Sequence, residues 1–145
     1  MSLTWVMVAN ASLARLFSNT GPQRELQLIK ELTHPESREK RSNLVSDRSG
    51  SRTGTGHGVF AQATDPKHHE AELFAQEITR ELAQGLAAEN AYDRLILVAS
   101  APFVGLVNHR LPGQVRSRLS ESIDKDYTRL PATELTAHLR SRVLL

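Results

Sequence analysis

The chain has 145 residues, of which 39% are hydrophobic and 23% charged, so it is long and apolar enough for one folded domain with its own core. The formal net charge of +2 is too small to indicate nucleic-acid binding by itself. The sequence has no cysteine, which excludes disulfides, a thiolate nucleophile and cysteine-ligated zinc.

Three short strands are predicted at the start of the chain. The apolar run Thr4–Ala9 is typical of a strand buried on both faces, and residues 13–17 form a second strand after a short turn. Residues 25–32 fit both a strand and a helical period, and their short length after a hairpin favours a strand. The opening hairpin could pair with a second copy of the chain if its edge is uncovered. The sequence does not show whether it is covered, so it does not predict the oligomeric state.

Residues 34–65 have neither period and are rich in charged residues and glycine. From residue 35 to residue 64 there are three acidic residues, Glu36, Glu39 and Asp47, against five basic ones, which are Arg38, Lys40, Arg41, Arg48 and Arg52. A segment of this composition buries too little apolar surface to offset the entropy that it loses on ordering. We therefore predict a long mobile basic loop presented by a rigid body.

A long helix is predicted directly after this segment. Asp65 is suited to the N-cap and Pro66 to the first helical position, and the helix is expected to extend to about residue 90. Its buried stripe repeats every four residues and comprises Phe74, Ile78, Leu82 and Leu86.

The remainder of the chain alternates strands and helices. We expect a buried, central strand at 95–99, a helix after Pro102, and a helical turn followed by a strand at 119–123. A last helix starts at Pro131 and buries Leu135, Leu139 and Val143. The elements predict an α/β fold in one domain over residues 1–145, a sandwich with a mixed five-stranded sheet in the order βββ–loop–α–β–α–β–α.

The histidines near the helix start lack the spacing of a helical metal site. His68 and His69 are adjacent, whereas helical ligands lie three or four residues apart on one face. Only the fold can decide whether His34 and His57 join them. The glycines at 50–58 are separated from the helix by residues 59–64, so a phosphate-binding loop is not indicated either. We predict no metal and no cofactor.

Two carboxylates follow the predicted fifth strand, in the run Asp124-Lys125-Asp126. Alternation along an extended segment places both on one side, where acid–base or Mg²⁺ chemistry is possible. A hydrolase would combine Asp124 and Asp126 with His57 or His69. The favoured interpretation is an acidic turn in which Lys125 lowers the repulsion.

Several segments, in order along nearly the whole chain, resemble one bacterial protein family. They are WVMVANASLARLF, LTHPESREK, LVSDRSG, ATDPKHHE, LILVASAPFVGLV and IDKDYTRLP. The family is named "protein required for attachment to host cells", and it is similar to the middle domain of archaeo-eukaryotic peptide-chain release factors. The resemblance implies a mixed α/β fold with three opening strands, a functional loop and then a long helix.

The release factors carry Gly-Gly-Gln in that loop and act at the ribosomal peptidyl-transferase centre. In this chain the glycines are Gly54, Gly56 and Gly58, and the nearby Gln62 lies between two alanines. The resemblance therefore does not extend to peptidyl-tRNA hydrolysis.

We predict a non-enzymatic binding module whose basic, glycine-rich loop contacts RNA or the ribosome. The alternative is a factor that influences attachment or stress responses through protein partners, and a hydrolase is the third hypothesis. The N-terminus lacks a signal sequence and no run reaches 18 apolar residues, so we expect a cytoplasmic protein without a membrane span. The candidate binding residues are His34, Arg38, Lys40, Arg41, Asp47, Arg48, Arg52, His57, Lys67, His69, Asp124, Lys125 and Asp126.

Overall fold

A computed structural model of the chain describes residues 3–21, 24–34, 66–89 and 91–143. In these ranges the chain forms five strands and four helices, which are β1 (Thr4–Ala9), β2 (Leu13–Asn19), β3 (Gln27–Thr33), α1 (Pro66–Ala87), β4 (Arg94–Ala99), α2 (Phe103–Arg110), α3 (Gly113–Arg116), β5 (Leu119–Ile123) and α4 (Ala132–Arg140). The predicted α/β class is confirmed, and the predicted helical turn before the last strand is α3.

β1 lies in the middle of one mixed sheet with the order β3–β2–β1–β4–β5. The pairs β1–β2 and β2–β3 are antiparallel, whereas β1–β4 and β4–β5 are parallel. Four strands, all except β2, therefore point the same way. Their carboxyl ends meet at one border of the sheet, the carboxyl edge, and the opposite border is the amino edge. The opening hairpin has no free edge, because β3 covers β2 and β4 covers β1.

Both faces of the sheet are covered, and each has its own apolar core. Side chains alternate between the faces along β1, so that Met7 and Ala9 lie in one core while Val6 and Val8 lie in the other. The first core packs against α1, α2 and α3, and the second packs against α4 through Leu135 and Leu139. β4 is an interior strand that is buried on both faces, as its uninterrupted apolar sequence predicts.

Helix α1 approaches the sheet closely at Gly85. The Trp5 indole lies against this glycine, and a Cβ atom there would overlap its six-membered ring. The indole also stacks on Tyr92, with ring centroids 4.6 Å apart. Tyr92 is fully buried, and its hydroxyl donates a hydrogen bond of 2.7 Å to the Leu82 carbonyl. The absence of a side chain at residue 85 thus leaves the space that the Trp5 ring of this aromatic pair occupies.

Four predicted elements have different boundaries in the structure. β2 continues to Asn19, two residues beyond its predicted end. Helix α1 ends at Ala87, three residues before the predicted end, and the last helix ends at Arg140, so that Val143 reaches the second core from a turn beyond it. β3 covers Gln27–Thr33 rather than 25–32. A register shift opposite Leu16 and Phe17 breaks the alternation of β3.

Candidate functional site

The two ends of segment 35–65 meet at the carboxyl edge. β3 ends there at Thr33, and α1, which starts at Pro66, returns from there along the sheet. The backbone amide of His34 donates a hydrogen bond of 2.8 Å to the Ser12 carbonyl at the same edge. The body of the protein therefore holds both stems of the segment at one border.

A buried side-chain contact joins these stems directly. Nε2 of His34 lies 2.8 Å from Oε1 of Glu70, and Nδ1 lies 3.4 Å from Oε2 of Glu77. The imidazole also stacks on Phe74, with ring centroids 5.4 Å apart. The His34 and Glu70 side chains are only 12% and 6% exposed. We call these four residues the His34 cluster.

The spacing of the α1 residues explains how the His34 cluster forms. Glu70, Phe74 and Glu77 are four and then three residues apart, so a helix presents them on one face over two turns. That face lies against the end of β3, and the neighbouring Lys30–Glu81 ion pair of 2.9 Å continues the contact along the strand. The base of the segment is therefore a continuous contact between helix and strand.

The first turns of α1 are also tied to α2. Arg110 donates a hydrogen bond of 2.8 Å to Glu72, and His68 lies 3.0 Å from the same carboxylate. The pKa of Glu72 is lowered from its ordinary value, chiefly by the hydrogen bond from Arg110 and further by the nearby charge of His68. The start of α1 is thus anchored on both sides.

A second polar cluster follows β1 and β5 at the carboxyl edge. Asn10 accepts hydrogen bonds from the amides of Ser12 and Leu13, and its side-chain amide donates to Asp126 and Thr128 at 3.4 and 3.2 Å. Asp126 also accepts from the amide and hydroxyl of Thr128. Burial raises the pKa of Asp126, but the bonds from Thr128 and Asn10 together outweigh it, so this pKa is lower than usual.

The two carboxylates of the Asp124-Lys125-Asp126 run bind different hydrogen-bond partners. Asp124 accepts a hydrogen bond of 2.9 Å from the Ala101 amide, next to the start of α2, whereas Asp126 is engaged by Asn10 and Thr128. Within the part of the chain that the structure describes, neither carboxylate bonds to a histidine. His57, a second histidine of the hydrolase hypothesis, lies outside the described residues.

No group of three or more His, Asp and Glu side chains could hold a metal ion among the described residues. His68 pairs with Glu72 and His34 with Glu70, so these two histidines contact different carboxylates. In the His34 cluster the two carboxylates lie at opposite nitrogens of one ring, which is unlike a set of ligands around one ion. None of the described helices is both long and apolar enough to cross a bilayer.

Four of the candidate binding residues, His34, Asp124, Lys125 and Asp126, follow strand ends at the carboxyl edge, and two more lie in the first turn of α1, which starts at the same edge. His69 is exposed in the first turn of α1, and Lys67 precedes it in the same turn. The other candidates lie outside the described residues, and so does the predicted mobile loop; they are Arg38, Lys40, Arg41, Asp47, Arg48, Arg52 and His57.

Sequence reasoning missed the partners that organise this edge. Glu70, Phe74 and Glu77 carry a visible signal, since they share one helical face. Asn10 and Thr128 carry none, because their bonds cross 118 residues of sequence and depend on β1 and β5 ending at the same border.

Comparison with known proteins adds the family and the fold. Residues 5–139 match the model of a protein family described as "Protein required for attachment to host cells". Among solved structures, the archaeal translation termination factor aRF1 is similar, with a TM-score of 0.51 and 14% sequence identity over 97% of this chain. The chain spans about a third, 35%, of the length of that structure. A comparison with curated protein sequences finds no match.

Proposed function

The chain belongs to the family of proteins required for attachment to host cells, and we propose that it acts as a non-enzymatic binding module whose basic residues between 38 and 52 contact RNA. The proposal includes a cytoplasmic location. Arginine and lysine side chains bind phosphate, and arginine does so through two parallel hydrogen bonds. Five such residues against three acidic ones give residues 36–52 a formal net charge of +2, as large as that of the whole chain but concentrated in one short segment.

The observation that carries the proposal is the contact of 2.8 Å between His34 and Glu70. Because the His34 cluster holds both stems at the carboxyl edge, the basic residues are tethered to one border of a rigid body. A tethered set of cations loses less entropy on binding than the same residues in a free chain. The likeness in fold to a translation termination factor supports the ribosome as the source of the RNA.

The test uses the full chain, purified ribosomes and a 20-nucleotide single-stranded RNA. The variant R38Q/R41Q should weaken RNA binding and lower the slope of log K against log salt by about 1.4, since each phosphate contact on a single strand contributes about 0.7. The matched control R80Q/R118Q removes the same charge from exposed arginines whose side chains form no hydrogen bond or ion pair with the other described residues. A wild-type chain that binds neither ribosomes nor RNA at low salt would overturn the proposal.

Affinity capture separates this function from the alternative, in which the protein acts through protein partners. If RNA carries the interaction, ribonuclease treatment should release the captured material, whereas protein partners should remain. Fractionation of cells tests the cytoplasmic location in the same experiment.

A further inference from the structure

A second group of arginines lies at the amino edge, on the opposite side of the body from the His34 cluster. Residues 24–26 pack along α4, where the Leu26 amide donates to the Thr136 hydroxyl at 3.1 Å and the Arg140 guanidinium donates to the Arg24 carbonyl at 3.0 Å. The chain there runs antiparallel to α4 and places Arg24 beside Arg140. Since the contact uses the Arg24 main chain, its own guanidinium stays available.

Arg142 completes the group just after α4. Its amide and that of Val143 both donate to the Leu139 carbonyl, at 2.9 and 2.8 Å, and Val143 packs against the second core. The backbone of this turn is therefore fixed. We call Arg24, Arg140 and Arg142 the arginine corner; all three are exposed.

The positive charge of the arginine corner is only partly offset nearby: Glu25 follows Arg24, but its carboxylate accepts a hydrogen bond of 2.7 Å from the Thr133 hydroxyl. Elsewhere on the body the cations of Arg15, Lys30 and Arg110 each pair with a glutamate. Among the described residues, no carboxylate pairs with any arginine of the corner. The acidic Glu134 lies in the first turn of α4, six residues or about 9 Å along the helix from Arg140.

The dipole of α4 explains only part of this arrangement. A cation in the last turn is favoured by the partial negative charge of the helix end, and this accounts for Arg140. Arg24 comes from a different segment, and Arg142 lies beyond the helix. Three exposed guanidinium groups that form no ion pair with a described carboxylate outnumber the single nearby Glu25, and such a group suits an external polyanion.

We propose that the arginine corner binds backbone phosphates of the same RNA, as a second contact surface at the amino edge. The inference rests on the proposed function, which supplies the RNA. The arginine corner and the His34 cluster lie at opposite borders of a sheet whose strands are about 20 Å long. Since the basic residues are proposed to bind RNA from the border of the His34 cluster, their contribution and that of the arginine corner should be independent and additive.

The test measures binding of the 20-nucleotide single-stranded RNA by the variant R24Q/R142Q of the full chain. Two lost phosphate contacts should weaken affinity about tenfold or more at 0.1 M salt and lower the salt slope by about 1.4. The control R80Q/R118Q, with the same change in charge, should bind as the wild type does. R24K/R142K should retain most of the affinity, and circular dichroism should report the same fold for all variants.

Three other outcomes overturn the inference. Equal weakening by R24Q/R142Q and R80Q/R118Q would assign the effect to overall charge. If R24Q/R142Q binds RNA unchanged while R38Q/R41Q binds more weakly, the arginine corner does not contact the RNA and the proposed function still holds. A wild-type chain that binds no RNA would overturn both the inference about the arginine corner and the proposed function.

Discussion

Nε2 of His34 lies 2.8 Å from Oε1 of Glu70, although 36 residues separate the two in the sequence. This contact joins the end of β3 to the second turn of α1 and closes the base of segment 35–65. The body of the protein therefore supplies a direct contact between the two stems. Changes within the segment and changes at its base should have different effects.

Replacing His34 with alanine should lower the free energy of unfolding by about 2 kcal/mol, because it removes a hydrogen-bond partner of a buried carboxylate. Urea unfolding monitored by the fluorescence of the single tryptophan, Trp5, measures the change. The control is His68→Ala, whose side chain is 56% exposed and pairs with Glu72 at the surface, so its loss should stay below about 0.5 kcal/mol. Equal losses in the two variants would contradict a structural role for His34.

Gly85→Ala should destabilise the protein by about 1–2 kcal/mol. The added methyl group overlaps the Trp5 ring, and the cost of overpacking exceeds the gain of roughly 1 kcal/mol in helix propensity. Gly105→Ala is the matched control, since a Cβ there meets nothing within 4 Å and the substitution should stabilise α2 by up to about 1 kcal/mol. Thermal unfolding followed by circular dichroism compares both. A stabilising effect at residue 85 would show that the indole moves away at little cost.

Stability should depend on Asp126 at low pH. The folded-state pKa of this carboxyl is lowered, so its contribution is fully present above the unfolded value near 4 and is lost as pH falls through the lower folded value. The difference in unfolding free energy between wild type and Asp126→Asn should therefore shrink from pH 5 to pH 2. Urea titrations at several pH values measure it. A difference that does not change with pH would contradict the prediction.

Tyr92 should produce the opposite dependence at high pH. Burial raises the pKa of its hydroxyl to about 12, so the neutral form stabilises the fold below the unfolded value near 10. That contribution is lost as pH rises from about 10 to 12. Tyr92→Phe should cost about 1 kcal/mol at pH 8, through the lost bond to Leu82, and should unfold less readily than the wild type does as pH rises further. Ionisation of Tyr92 near pH 10 in the folded protein, followed by absorbance, would disprove this.

The strands and helices that the sequence predicts best are those buried on a whole face. Thr4–Ala9 is a strand over its predicted range, since each side chain of an interior strand meets a core and an uninterrupted apolar run results. β3 is predicted less well because it is an edge strand with a register shift, and Leu28 and Ile29 are 46% and 48% exposed there. The apolar pattern of β3 therefore does not show which side chains face a core.

The candidate site depends on contacts that the sequence does not encode locally. Alternation along an extended run predicts the carboxylates of Asp124 and Asp126 on one side, whereas in the structure Asp124 accepts from the Ala101 amide and Asp126 from the Asn10 side chain. Those neighbours follow from the parallel order of β1, β4 and β5, which places three distant strand ends side by side. Without the strand order, the sequence identifies the polar residues that follow each strand but does not predict which of them contact one another.

The central place of β1 also affects the protein while it is being made. β2 leaves the ribosome soon after β1 and pairs with one side of it, but the other side waits for β4, which ends at Ala99. Until then the nascent chain carries an apolar strand with unpaired backbone groups, the kind of surface on which aggregation begins. Translation speed across residues 34–94 and the supply of chaperones should therefore govern how much of the newly made chain reaches the folded state.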